Sequence, residues 1–329
     1  MPEKIVPIYS GDPANFHWVG FGSGSGTNLR ECARVILPSV ILSDKIPYNP
    51  STGKGAKVAE TDPDKLKEYD LESLIGVPRI IVNGFQECGS AKTQSPEEYA
   101  KRSLAFNQKI VDALHRFEDQ NGFDIDLIVL GGYMRLVGEP LLRAFPDKII
   151  NVHPAKLSLV TYKGGLYDLS DPDQYEQLHR LTWNLKGLKG IERKFVGEEA
   201  VYDALRAGQR LTCSSVIMVD DGVDHGEILT EGDSLNVWQQ LADGRPNEME
   251  AVIKKYVPAH QELQKMRSDW PALTMILKLI SQGRIALGPR DAESVGGMHF
   301  NEWRHVYLDG VQQSYDGCWI NHATQKAIG

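Results

Sequence analysis

Two motifs far apart in the chain carry polar side chains suited to catalysis. Asn151 and His153 follow the apolar pair Ile149-Ile150, and Asp224 lies in a turn after another apolar run. An amide and an imidazole can stabilise a tetrahedral oxyanion, and a carboxylate can assist proton transfer. The combination predicts acyl or formyl transfer.

The histidine and its acidic partner each have a competing interpretation. His153 precedes a proline, which disfavours helical backbone, so we expect its ring to be fixed at a strand end. In an arbitrary sequence a single histidine is more often structural. Asp220 and Asp221 compete with Asp224 as the acidic partner. Asp224 is favoured because it lies deepest in the turn, and the sequence leaves the choice open.

A glycine-rich turn at residues 22–28 lies between a predicted strand at 16–21 and a predicted helix at 29–35. Glycines let backbone N–H groups approach an anion, and a helix N-terminus favours negative charge. The turn therefore predicts a phosphate-binding loop, although its spacing matches neither the dinucleotide fingerprint nor the P-loop. The alternative is a turn that needs glycine only for its backbone.

Strands and helices alternate through the first two thirds of the sequence. Strands are predicted at 16–21, 40–42, 77–82, 127–130, 148–152 and 214–219, and helices at 29–35, 96–117, 138–145 and 198–207. This order predicts an α/β fold with a mostly parallel twisted sheet and helices on both faces. Ligands bind such sheets at the carboxyl ends of the strands, where the motifs above fall.

Two later segments depart from the alternation. Residues 157–192 are polar and contain tyrosine and tryptophan, and we interpret them as an inserted loop or lid. Residues 248–282 predict one or two helices, interrupted at Pro258 and Pro271.

The C-terminal tail has the composition of a small β structure. It contains Asp309-Gly310, a hairpin turn signal, between apolar residues. We therefore expect a main domain at 1–285, with the insertion inside it, and a C-terminal β extension at 286–329.

Composition and charge narrow the class of protein. The 329 residues are 41% hydrophobic, which is enough for a substantial core. The net charge of -8 argues against nucleic acid or an anionic membrane as the main partner, because both require a basic surface. No apolar run is long enough to span a membrane. We expect a soluble cytoplasmic protein with a small-molecule substrate.

The cysteines and the remaining histidine of the Asp224 turn give no metal signal. Cys32, Cys88, Cys213 and Cys318 are scattered without a CxxC pair, so neither a zinc site nor a disulfide framework is indicated. His225 lacks ligands at metal-binding spacing. We expect four free thiols and no metal.

Four segments of this sequence together resemble a known family. They occur in the family's order and are residues 23–29, 126–137, 150–154 and 214–229. In these segments the chain resembles the folate-dependent formyltransferases, nearest to the phosphoribosylglycinamide (GAR) formyltransferase branch. The resemblance implies a Rossmann-like formyltransferase fold and 10-formyltetrahydrofolate as the formyl donor.

The resemblance also implies roles for individual residues. Asn151 and protonated His153 would stabilise the formyl oxyanion, and Asp224 would orient His153 or a water and assist proton transfer. The residues that would line the pterin pocket are Met134, Arg135, Leu136, Val137, Met218, Asp220 and Asp221. Those that would take the phosphate of the amine substrate are Gly24, Ser25, Gly26, Thr27 and Asn28. For the apolar residues, plain core packing is the competing interpretation.

The acceptor is less constrained than the donor. The insertion at 157–192 follows the histidine motif directly, and the glutamate-histidine pair that GAR enzymes carry in a C-terminal helix has no clean equivalent here. GAR in purine biosynthesis is the first hypothesis, and an amino sugar, hydroxyornithine or water, as in a hydrolase, are alternatives. From another class, a nucleotide-binding oxidoreductase or a non-catalytic binding module would use Asp44 to contact a ribose. The sequence is also compatible with a homodimer.

Overall fold

A computed structural model describes most of the chain in nine segments. They are residues 5–45, 72, 75–89, 93–182, 191–238, 246–289, 304–318, 320–321 and 326–327. Contacts group the chain into two compact units. The first unit is Ala14–Asn151, and the second unit combines Met1–Pro13 with Val152–Gly329.

The strands are short. In chain order they are β1 (Val6–Pro7), β2 (Trp18–Gly22), β3 (Val40–Ser43), β4 (Arg79–Ile81), β5 (Leu127–Leu130), β6 (Ile149–His153), β7 (Leu159–Tyr162), β8 (Gly165–Asp168), β9 (Glu192–Arg193), β10 (Leu211–Thr212), β11 (Ser215–Met218), β12 (Ile228–Glu231), β13 (Leu235–Asn236), β14 (Ile285–Leu287), β15 (Val306–Leu308), β16 (Val311–Gln312), β17 (Ile320–Asn321) and β18 (Lys326–Ala327).

The helices differ widely in length. They are α1 (Thr27–Ala33), α2 (Gly84–Cys88), α3 (Pro96–Asn121), α4 (Glu139–Ala144), α5 (Pro172–Thr182), α6 (Ala200–Arg206), α7 (Pro246–Gln264) and α8 (Trp270–Ser281). A π-helical turn, Lys265–Asp269, joins α7 to α8.

Parallel strands form the core of the first unit. They lie in the order β6-β5-β2-β3-β4, and every neighbouring pair is parallel. All residues of β2, β3 and β5 are buried, as expected for strands covered on both faces. The structure therefore confirms the predicted α/β class and its mostly parallel sheet.

Helix α1 packs closely on the sheet through one leucine. A Cβ atom built on Gly20 would lie 2.9 Å from the side chain of Leu29, and one on Gly131 would lie 2.4 Å from it. Both glycines are therefore needed for close helix-strand approach. This packing fixes where the glycine-rich turn leaves the sheet.

Helix α3 forms as its end signals predict. Ser95 caps it by accepting a hydrogen bond from the backbone N–H of Glu98, and Pro96 occupies the first turn. Phe106 and Ile110 are among the residues that it buries. The helix continues to Asn121, beyond the predicted end at residue 117, and ends at Gly122 in a left-handed conformation.

Residues 157–192 were expected to form an inserted loop or lid, and the loop expectation was wrong for the described residues. They form the antiparallel sheet β8-β7-β9 and helix α5. Lys163 and Gly164 have φ values of 48° and 81°, the left-handed pair that a two-residue hairpin requires. Asp171 accepts a hydrogen bond from the backbone N–H of Asp173 at the start of α5. These local signals outweigh the polar composition on which the loop interpretation rested.

The predicted interruption at Pro258 was also wrong. Helix α7 continues through this residue. Two buried side chains beyond the proline anchor the helix, because His260 bonds Thr212 and Gln264 donates to the carbonyl of Cys213. Tertiary contacts therefore outweigh the loss of one backbone hydrogen bond.

The tail forms the predicted hairpin. Asp309 and Gly310, with φ values of 51° and 80°, connect β15 to β16. Strand β15 pairs with β14, and β14 pairs with β1. The proposed domain division after residue 285 stays a prediction.

The cysteine side chains of the chain are buried thiols. Cys32, Cys88, Cys213 and Cys318 are free and buried. Within the described residues, no helix combines the length and apolar character that crossing a membrane requires. The same residues contain no group of three or more His, Cys, Asp or Glu side chains that could hold a metal ion.

Candidate active site

Strand β6 carries two of the predicted catalytic residues. Asn151 and His153 are two positions apart, so their side chains leave the same face of the strand. Asn151 is half-buried at the end of the first unit, and His153 is 4% exposed in the second unit. The strand therefore gives the amide and the imidazole a common direction.

The ring of His153 lies between two hydrogen-bond acceptors. Its Nδ1 is 3.2 Å from the Asp224 carboxylate, and its Nε2 is 3.0 Å from the backbone carbonyl of Phe195. A carboxylate and a carbonyl can only accept, so both ring nitrogens must donate. The imidazolium cation is the form of His153 that satisfies both contacts.

The Asp224 carboxylate is the matching anion. Burial alone would raise its pKa, but hydrogen bonds from His153 and from the backbone N–H of Gly197 outweigh burial, and the pKa lies below its ordinary value. The Gly197 nitrogen is 2.8 Å from the carboxylate. The carboxylate that faces the His153 ring is therefore held in its ionised form by these contacts.

The structure separates the three competing aspartates. Asp220 bonds the Nδ1 of His225 at 2.6 Å and accepts from the backbone N–H of Gly222. Asp221 is exposed. Asp224 is the one whose carboxylate contacts His153.

The residues predicted to line the pterin pocket fall into three groups. Met134 and Leu136 are 59% and 63% exposed, a large exposure for apolar side chains. Val137 is half-buried. Met218 is buried in β11, Asp220 is half-buried and Asp221 is exposed. Pocket contact by these residues stays a prediction.

Arg135 is directed into the protein core. Its Nε lies 2.6 Å from the carboxylate of Asp44, which is 2% exposed, and its guanidinium stacks over the ring of Phe106. A buried pair of this kind fixes the segment that carries Met134 and Leu136. It also occupies Asp44, which the oxidoreductase alternative needs for a ribose.

The glycine-rich turn has one position where glycine is required by the backbone. Gly26 caps α1 with φ 58° and provides no side-chain capping bond. Ser23 accepts a hydrogen bond from the backbone N–H of Met134. Gly24 is exposed, Ser25 and Thr27 are half-buried, and Asn28 is buried. Phosphate binding by the turn stays a prediction, because its backbone conformation already accounts for Gly26.

Sequence reasoning missed three contacts to the His153-Asp224 pair. They come from a single segment, residues 193–197, through Arg193, Phe195 and Gly197. Two of the contacts use backbone groups, which leave no signal in residue type. Arg193 is buried although it is charged, and that is not visible in a short polar stretch.

Part of the chain matches a known protein family. Residues 64–164 match the family model described as formyl transferase. The predicted resemblance to the formyltransferases is therefore confirmed in this region of the chain.

Two similar curated proteins are phosphoribosylglycinamide formyltransferases. Phosphoribosylglycinamide formyltransferase from Bacillus subtilis is 31% identical over 136 residues, covering 41% of this chain and 48% of that protein. The chloroplastic phosphoribosylglycinamide formyltransferase of Arabidopsis thaliana is 36% identical over 220 residues, covering 60% of this chain and 59% of that protein. The chain thus spans between 48% and 59% of the length of these two relatives.

A solved structure of phosphoribosylglycinamide formyltransferase from Coxiella burnetii superposes on the fold. It is 19% identical, with a TM-score of 0.49, and the superposition covers 92% of this chain and 97% of that one.

Proposed function

We propose that this chain transfers a formyl group from 10-formyltetrahydrofolate to a primary amine, with phosphoribosylglycinamide as the acceptor. The formyl transferase match and the names of the relatives support the reaction class. The observation that carries the proposal is the buried ring of His153, held between the Asp224 carboxylate and the carbonyl of Phe195. The imidazolium form of this ring is suited to stabilise developing negative charge.

The residues divide the chemistry between them. When the amine attacks the formyl carbon, negative charge develops on the formyl oxygen, and the Asn151 amide and the His153 imidazolium stabilise it. The ionised Asp224 keeps the imidazolium charged and accepts a proton from the amine, directly or through one water. Departure of the folate nitrogen requires a proton, which the hydrogen-bonded pair of Asp224 and His153 supplies.

The donor would be held by apolar groups of the first unit. Met134 and Leu136 are exposed, and covering them with a flat heteroaromatic ring removes apolar surface from water. Arg135 fits this role less well than predicted, because its guanidinium is paired with Asp44. We assign the donor contact to Met134, Leu136 and Val137.

The acceptor assignment depends on the glycine-rich turn. A phosphorylated amine would place its phosphate at residues 24–28, where a Cβ atom on Gly24 would meet nothing within 4 Å. The open space leaves room for the anion. A homodimer and a cytoplasmic location remain predictions.

The proposal is tested by incubating the purified chain with 10-formyltetrahydrofolate and a panel of amines that includes phosphoribosylglycinamide. We expect amine-dependent release of tetrahydrofolate, followed by absorbance. Asn151→Ala and His153→Ala should each lower turnover by about 10² to 10³, the usual loss for one oxyanion donor. His115→Ala, in an exposed position on α3, is the matched control and should leave turnover unchanged. Release of tetrahydrofolate without any amine would instead indicate a hydrolase, and no release at all would contradict the proposal.

A further inference from the structure

Arg193 connects the inserted sheet to the loop that carries Asp224. Its Nη1 donates to the backbone carbonyl of Asp224 at 2.5 Å, and its Nη2 donates to the carbonyl of Gly226 at 2.8 Å. The residue is 8% exposed. A buried guanidinium with two carbonyl acceptors on one loop has a defined geometry, because its fork is planar and rigid.

The loop that Arg193 holds has an unfavourable backbone conformation. Asp224 has a φ of 49°, in the left-handed region that residues with a Cβ atom visit infrequently. Aspartate tolerates this region better than most residues, but such a conformation persists only where surrounding contacts determine it. The two bonds from Arg193 lie on either side of His225 and supply such contacts.

The position of Arg193 is itself determined by the sheet. Strand β9 pairs with β7, where Arg193 lies opposite Val160. Two and four residues further along, the carbonyl of Phe195 accepts from His153 and the N–H of Gly197 donates to Asp224. One short segment therefore contacts the loop backbone, the imidazole and the carboxylate.

The charge of Arg193 also acts on the carboxylate. Burial is the largest influence on the pKa of Asp224 and raises it, while His153, Gly197 and Arg193 all lower it. Arg193 also acts on Tyr315, from the C-terminal tail, and opposes the rise in its pKa that burial causes.

We propose that Arg193 is a positioning residue for formyl transfer, which fixes the Asp224 carboxylate against His153 by holding the carbonyl oxygens of Asp224 and Gly226. This inference rests on the proposed function. It assigns to the inserted sheet a role in catalysis, which is to carry the group that orders the catalytic loop.

Two substitutions of Arg193 separate position from charge. Arg193→Gln removes both the positive charge and the two hydrogen bonds to the loop carbonyls. Arg193→Lys keeps the charge but cannot bridge two carbonyls with a fixed fork. We expect kcat to fall about 100-fold in Arg193→Gln, the loss typical of a displacement of about 1 Å, with the donor KM changed less than about threefold. Arg193→Lys should also lose at least about tenfold in kcat, since the bridge is lost.

The pH profile adds a readout that a purely structural residue would not move. The acid limb of kcat should shift to higher pH in Arg193→Gln, because removing a nearby cation raises the pKa of the Asp224 carboxyl. It should stay at the wild-type position in Arg193→Lys. The matched control is Lys194→Gln, an exposed neighbour whose loss removes the same charge, and it should behave as wild type in both measurements.

Hydrogen exchange keeps this test separate from that of the proposed function. The Gly197 N–H donates to Asp224, so its exchange should accelerate in Arg193→Gln and Arg193→Lys and not in Lys194→Gln. Wild-type turnover in Arg193→Gln per folded molecule, or unchanged Gly197 exchange, would overturn the positioning role. If wild type formylates no amine, the proposed function fails, and the exchange result alone then decides whether Arg193 orders the loop. If Arg193→Gln does not fold, Arg193→Lys decides by the same criteria.

Discussion

The pair formed by His153 and Asp224 links the candidate chemistry to the stability of the fold. Hydrogen bonding holds the pKa of Asp224 below its ordinary value despite burial. A carboxyl whose pKa is lower in the folded chain stabilises the fold above the pKa of the unfolded chain, and that stabilisation is lost as the pH falls through the folded pKa.

Asp224→Asn should remove this acid sensitivity. Between pH 5 and pH 3, we expect the free energy of unfolding of wild type to fall more steeply than that of the variant, because wild type must protonate a hydrogen-bonded carboxylate. Urea unfolding at closely spaced pH values measures both. Asp221→Asn changes an exposed aspartate of the same turn and should follow wild type, whereas parallel curves for Asp224→Asn and wild type would contradict the account.

At the residue scale, the sequence indicated which residues carry reactive groups better than it indicated which partners their side chains contact. Asn151 and His153 were singled out because their types and spacing are chemically unusual, and their catalytic roles stay a prediction. Arg135 was expected in a pocket, but the side chain turns towards Asp44, 91 residues earlier. Arg193 gave no signal, because its partners lie 31 and 33 residues later. Long-range pairing of a charged side chain cannot be inferred from local pattern.

At the scale of elements, prediction succeeded where one physical signal dominated. The strands β3 and β5 were found as continuous apolar runs, which buried parallel strands require. The sheet β8-β7-β9 was missed because residues 157–192 were judged by their overall polar composition, although the Lys163-Gly164 turn is flanked by apolar and aromatic residues. Helix α7 was wrongly divided because buried contacts compensate for its proline.

Glu231, on β12, contacts the residues that precede and begin the segment leading into β7. Its carboxylate accepts from the backbone N–H of Ser158 and lies 4.0 Å from the ammonium of Lys156. Burial raises the pKa of Glu231 to about 7, with Lys156 and Ser158 acting against the rise and Asp316 adding to it. Lys156 itself bonds the carboxylate of Asp168 at 2.6 Å.

Because the pKa of Glu231 is raised and that of Asp224 is lowered, the two carboxyls change the stability of the fold with pH in opposite directions. Between the ordinary glutamate value of 4.5 and about 7, the folded chain holds a proton that the unfolded chain has lost, so stability falls as pH rises. Relative to Glu231→Gln, we expect the unfolding free energy of wild type to fall by at most about 3 kcal/mol between pH 5 and pH 7.5.

Chemical unfolding between pH 5 and pH 7.5 shows directly whether the free energy of unfolding falls or rises with pH. Glu262→Gln, on the exposed surface of α7, is the control and should not change the slope. A wild-type stability that is flat or rising relative to Glu231→Gln would show that Glu231 is ionised at pH 5.

At the scale of the whole molecule, the C-terminal segment is part of the second unit's core. Arg304 bonds Glu227 at 2.7 Å, and both side chains are buried. A Cβ atom on Gly317 would lie 2.3 Å from the carbonyl oxygen of Leu229, and the N–H of Cys318 donates to the same carbonyl. These contacts tie residues 304–318 to β12.

Arg304→Met should therefore be costly. It leaves the Glu227 carboxylate buried without its cation, and breaking a buried pair in this way typically destabilises by about 3 to 5 kcal/mol. The matched control is Arg284→Met, which breaks the ion pair of Arg284 and Asp309. This pair is more exposed than that of Arg304 and Glu227, so its loss should cost less than about 1 kcal/mol. Thermal and urea unfolding compare the two variants, and equal stability losses would contradict the assignment of the tail to this core.

The family resemblance was recoverable from the sequence because four separate segments occur in the same order as in the formyltransferases. The acceptor was not, because residue types alone do not show which groups would contact it. Arg193 contacts the loop that carries Asp224, and Arg304 pairs with Glu227 in the second unit.

The most direct test of the account follows the formyl carbon itself. Purified wild-type chain is incubated with 10-[13C]formyltetrahydrofolate and phosphoribosylglycinamide, and the labelled carbon is followed by NMR, with His153→Ala as the reference. The account predicts that the label appears as a formamide on the amine with wild type and that its appearance slows by about 10² to 10³ with the variant. Label that accumulates in formate, stays on the folate, or moves equally fast in His153→Ala would contradict it.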